Sequence, residues 1–150
     1  MNITEKINEL KENRLGLISI VKNLSIAQLN EIPAGYANNI IWNLGHILVT
    51  PAHHLFPGME NLLPVGEKYI NSYSDGTKPT TNIGETEINE IIAYLPLSLD
   101  SLLQAHDAGL FTEDKGFGKR AFEGALDFLS FHERMHFSRI RAILAAIESN

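Results

Sequence analysis

The chain has 150 residues, 44% of them hydrophobic and 20% charged, a balance that suits one domain with one core over residues 1–150. No apolar run approaches the ~18–20 residues that span a bilayer, and the polar start MNITEKINELKENRLG has no secretory apolar stretch, so a cytoplasmic protein without a membrane segment is expected. The absence of cysteine excludes disulfides, thiolate ligands and a cysteine nucleophile, and a net charge of -6 argues against nucleic-acid binding, which needs a basic surface to displace counterions.

Ile3, Ile7, Leu10, Leu17, Val21 and Leu24 recur at steps of three, four and seven and predict a helix over 3–24. Ser25 is placed to cap a short helix, IAQLNEI, ended by Pro33. YANNIIWNLGHILV predicts a second long helix from about residue 37. The Thr50-Pro51 step either kinks it or starts a new turn, with Thr50 as cap and Pro51 at the first helical position. FPGMENLLPVG, punctuated by Pro57, Gly58, Pro64 and Gly66, and SYSDGTKPTTN at 72–82 read as turn-rich connections.

A third helix is expected from about 84 to 105, with Ile88, Ile91, Ile92, Leu95, Leu99 and Leu102 as its buried stripe and a kink at Pro96. GLFTEDKGFGKR is a further connection. Its basic end adjoins Glu113 and Asp114 and lacks the spacing of a phosphate-binding loop, so it reads as a solvated loop. A fourth helix is expected from about 122 to 147. With no convincing strand alternation and no internal repeat, four long amphipathic helices predict an all-α four-helix bundle whose middle connections cover one end.

The last helix carries His132-Glu133-Arg134-Met135-His136, an H-E-x-x-H string. At about 100° per residue, Ala125, Leu129, His132, His136, Ile140, Ile143 and Ile147 share one face under ~90° wide, so both histidines sit inside the apolar stripe. Buried imidazoles need polar partners. One turn apart and aimed alike, the two suit one metal ion; they equally suit a core pair bonded to each other or to backbone. On the second helix, Asn39, Asn43, His46 and Thr50 form one polar strip about 60° wide on an otherwise apolar cylinder. The strip is either the wall of an internal site, with His46 as third ligand, or a solvent face. His53, about 10 Å further along, is too far to share the ion, and His54 and His106 read as surface or loop residues.

A zinc protease needs a third protein ligand and a water activated by the motif glutamate. One class places a glycine and a histidine after the motif where this chain has Arg139 and Ala142; another takes a later glutamate, and Glu148 lies on the same helix, unable to fold back. With no strand to hold an extended peptide, the string does not read as a protease. No G-x-S-x-G elbow marks a serine hydrolase either.

WNLGHI on the second helix, the GTKP loop and ALDFLSFHERMHFSRI on the last helix together resemble the DinB-like superfamily of small metal-binding four-helix bundles. The resemblance covers most of the chain and implies that His46, His132 and His136 hold one divalent ion, zinc or nickel. It turns the polar strip into the metal-facing wall and explains HERMH without proteolysis. It also implies a thiol-dependent transferase or a hydrolase acting on a small molecule, with a low-molecular-weight thiol as cosubstrate, and a homodimer. Glu133 is then a candidate second layer around the metal or a general base, against a solvated flank residue, and Asn43 a candidate to orient a ligand or bind substrate, against a surface amide. The competing expectation is a non-catalytic, metal-stabilised bundle serving as a binding or stress-response module. The chain departs from the family at FSRI: Ser138 stands where a glycine would allow close helix approach, and Arg139 replaces a neutral residue, with the bundle edge or a carboxylate of the site or of a partner as its expected surroundings.

Overall fold

Asn2 starts the first helix, α1 (Ile3–Val21), through a capping box: its side chain accepts from the Glu5 amide at 2.8 Å, and Glu5 accepts from the Asn2 amide at 2.9 Å. Ser25 caps α2 (Ile26–Asn30), as expected, and makes the same reciprocal pair with Gln28. The computed structural model describes residues 1–61 and 66–149; Pro64, expected to punctuate a loop, lies outside them.

Helix α3 (Ile40–Thr50) begins about three residues later than expected, because Asn39 caps it by accepting from the Trp42 amide at 2.8 Å. Thr50 is not a cap. It has helical backbone angles and donates its hydroxyl to the His46 carbonyl at 2.7 Å. Pro51 has no N–H to give the carbonyl four residues back, and the chain widens into a π-turn over Pro51–Leu55, closed by the Phe56 amide on the Pro51 carbonyl at 2.9 Å.

Helix α4 (Gly66–Tyr73) fills the stretch left unassigned between the two expected connections and overlaps their ends. It is too short to show a clear period, and Tyr69 and Tyr73 are its buried residues. Two carboxylates tether it to the next helix: the Tyr73 hydroxyl donates to Glu87 at 2.5 Å, and Tyr69 donates to Glu90. Helix α5 (Glu85–Asp107) runs through Pro96 without ending there. Its stripe is as predicted except that Ile92 is half-buried and Ser98 and Ala105 join the buried side. The loop before the last helix holds one 3₁₀ turn, Glu113–Lys115, closed by Gly116 in the left-handed region at φ 77°. Helix α6 (Lys119–Glu148) is the longest element.

The described residues form helices and no strand. Helix α3 packs against α5 and α6, and α1 packs against the same two, so the four enclose one apolar core. Every residue of α3 from Ile40 to Thr50 is buried. Its polar strip is therefore an interior surface, which excludes the solvent-face alternative. No described helix is long and apolar enough to cross a membrane.

Candidate metal centre

Three imidazoles from two helices meet in the core. His46 comes from α3, His132 and His136 from adjacent turns of α6, and one ring nitrogen of each lies within 4.8 Å of the others. The His46 and His132 Nε2 atoms are 3.1 Å apart. Two imidazoles on one tetrahedral zinc, each about 2.0–2.1 Å from the ion, stand about 3.3 Å apart. The closest pair has nearly that spacing, and the third ring nitrogen lies within 4.8 Å of both.

The far nitrogens explain why the near ones converge. His46 Nδ1 donates to the Tyr73 carbonyl at 2.8 Å, which leaves its Nε2 as a bare lone pair. His136 Nδ1 donates to Asn43 Oδ1 at 2.8 Å. The Asn43 amide is itself held, with Nδ2 donating to the Asn39 carbonyl at 2.7 Å and to Asn38 Oδ1 at 2.9 Å. The Thr50 hydroxyl proton is committed to the His46 carbonyl, so its 3.5 Å approach to His46 Nε2 claims little. His132 Nδ1 is buried without a partner among the described residues.

The WNLGHI stretch has a packing reason at each position. Trp42 lies flat on His46, with ring centroids 4.8 Å apart and planes 9° apart, and donates its indole N–H to Thr77 at 3.1 Å. Gly45 permits the approach of α4: a Cβ there would lie 2.4 Å from the Tyr73 ring. A glycine among bulky helix residues is the sequence signal for such an approach. Tyr73, which the sequence left unplaced, supplies its carbonyl to His46 and its ring to Gly45.

Burial dominates the electrostatics. It lowers the His46 pKa and, with the neighbouring imidazoles, lowers His132 to about 4 and His136 to about 3. At neutral pH the cluster is three neutral imidazoles, the form that binds a cation.

Glu133 is neither a solvated flank residue nor part of the histidine cleft. It is 2% exposed and points about 100° round α6 from His132, where Arg14, 0% exposed, grips both its oxygens at 2.8 and 3.0 Å. Arg14 also donates to the Leu95 carbonyl at 2.6 Å, to Ser98 at 3.1 Å and, more distantly at 3.4 Å, to the Ile47 carbonyl that Pro51 leaves short of a donor. A carboxylate held this way is not placed to activate a water at the histidines, which removes the central requirement of the protease reading. The sequence did carry a sign of Arg14: it occupies the stripe position between Leu10 and Leu17. Asn43 is likewise absent from the cleft wall; its Oδ1 accepts from His136 Nδ1.

Above the histidines lies a cleft of about 580 Å³. Phe128, Met135 and Leu55 give it an apolar wall, and His54, Asp75 and Arg139 bring polar groups to it. His54, expected on the surface, is exposed and lines the cleft from the π-turn, with the exposed His53 beside it. His106 sits apart, against Phe122 and Asp107. Ser138 is exposed, so no close helix contact depends on it. Glu67 and Tyr69 are on α4, and Tyr36 is half-buried in the turn before α3; none of the three joins the cluster.

A family model described as the DinB superfamily matches residues 9–140, a stretch that contains all three histidines. No curated protein and no solved structure matches the chain.

Proposed function

The chain belongs to the DinB superfamily, and from that premise we propose that His46, His132 and His136 hold one divalent ion, zinc or nickel, in a four-helix bundle that acts on a small molecule. The observation that carries this reading is the 3.1 Å approach of His46 and His132 Nε2, with the outer nitrogens of His46 and His136 engaged by Tyr73 and Asn43. Neutral imidazoles leave the ion its full charge; when bound, it supplies Lewis acidity toward a substrate oxygen, a thiolate or water. Tyr73 and Asn43 fix the rings that hold it, and Trp42 covers one face of His46. The open cleft over three ligands favours catalysis above a purely structural centre, which would close its shell with a fourth. A thiol cosubstrate fits the same cleft, since the chain has no thiol of its own. A cytoplasmic homodimer is the setting proposed.

Elemental analysis of tag-free protein tests the reading. About one divalent ion per chain is expected in the wild type and almost none in His46→Ala or His132→Ala, with helical content retained. Trp42 is the one tryptophan in the chain and stacks on His46, so nickel should quench its fluorescence in the wild type and leave it in His132→Ala largely unchanged. No bound ion in the wild type after incubation with zinc and nickel would leave the three histidines as a buried polar cluster.

A further inference from the structure

The cleft is chemically lopsided. Its floor is the histidine cluster. Its apolar wall is uncovered: Phe128 is 50% and Met135 46% exposed. The charged groups along it are Arg139, on the turn of α6 after His136, and Asp75, from the loop after α4. Both are exposed.

Arg139 makes no ion pair and no side-chain hydrogen bond among the described residues. One turn to either side on its own helix stand Met135, His136, Ala142 and Ile143, none of which carries a negative charge. Arg14, outside this cleft, shows how the fold completes an arginine that is structural, with a carboxylate on its fork. Arg139 has the fork and no carboxylate, and it stands beside a cavity of small-molecule size. Asp75 offsets its charge, so the empty cleft is close to neutral; a divalent ion on the histidines would make it strongly positive and draw anions to it.

We propose that this cleft takes a small anionic ligand that bridges two points, a donor atom at the histidine-held ion and an acid group on Arg139, with its apolar part against Phe128 and Met135. The inference rests on the metal centre proposed above and adds the substrate class. Arg139 lies three positions on from His136, a rise of about 4.5 Å, so a short-chain ligand meets both. Arg139 is a binding residue in this scheme.

Cobalt(II)-loaded full-length chain, titrated with 3-mercaptopropionate and with 2-mercaptoethanol and followed by the visible absorption of cobalt, tests it. The loss of one charge-assisted contact in Arg139→Gln should weaken 3-mercaptopropionate about tenfold and leave 2-mercaptoethanol and cobalt uptake unchanged. Competition by acetate would assign the acid group as a carboxylate, competition by inorganic phosphate as a phosphate, in either case reduced in Arg139→Gln. Equal affinity of wild type and Arg139→Gln for 3-mercaptopropionate would overturn the assignment to Arg139 while the cobalt spectrum left the metal centre standing. Failure of the wild type to take up cobalt would overturn the metal centre, and this inference with it.

Discussion

His132 and Glu133 are neighbours in the chain, both buried, and they serve opposite ends. Glu133 meets Arg14 across the α1–α6 contact and spends both oxygens there, in a closed cluster that ties α1, α3, α5 and α6 through one guanidinium. His132 turns about 100° away, toward His46 and His136, and its Nδ1 finds no partner among the described residues. In the first cluster charge is satisfied by charge. In the second, three neutral imidazoles converge, with the His46 and His132 Nε2 atoms 3.1 Å apart, beside a cleft of about 580 Å³. Buried polar groups that are fully paired rigidify a fold, whereas a buried polar atom without a partner calls for an explanation of its own.

The largest way to break the first cluster is Glu133→Ala. It leaves a buried guanidinium without its counter-charge and should cost about 3–5 kcal/mol by equilibrium urea unfolding of metal-free protein. Replacing both partners, Arg14→Met with Glu133→Leu, should recover most of that loss, because an apolar pair leaves no charge unpaired. A loss under about 1 kcal/mol in Glu133→Ala would show that the cluster does not hold the helices.

Acid should act on the second cluster. The folded pKa values of His132 and His136, about 4 and about 3, lie below the unfolded value of 6.5, so between these limits the unfolded chain binds more protons. The stability these rings contribute is complete above pH 6.5 and drains as pH falls toward 4, by on the order of 1 kcal/mol per pH unit for each ring titrating. Thermal melts in chelator should show this slope, and His136→Ala should flatten it. A His136→Ala profile identical to the wild type's would mean that the ring is already solvated.

Gly45→Ala tests the support between the clusters. Its Cβ would press the Tyr73 ring and shift the carbonyl that orients His46, at about 1–3 kcal/mol of stability together with weaker metal binding. Loss of stability with unchanged metal affinity would detach Tyr73 from the site.

Much of this arrangement was legible in the chain. The stripes of α1, α5 and α6 predict helices whose ends fall within a few residues of those observed, because periodicity is a local property and the capping residues Asn2, Ser25 and Asn39 are local too. The pairing of His132 with His136 on one face follows from helical geometry. The orientation of α3 did not, since apolar residues almost surround it; burial of all eleven residues was settled by α4, α5 and α6 closing on it. Helix α4 was missed, because eight residues with two buried tyrosines hold too little periodic signal.

By itself, then, the sequence determined helices, an acidic chain free of cysteine, and the three histidines that resemblance to the superfamily joins into one set. Tertiary structure alone decided that Glu133 belongs to Arg14, that Asn43 and the Tyr73 carbonyl aim the rings, and that Arg139 reaches the cleft of the histidines. The reason is physical. A helix specifies the direction of each side chain relative to its own axis, but partner, burial and protonation depend on groups as much as 119 residues away, which meet when the core assembles.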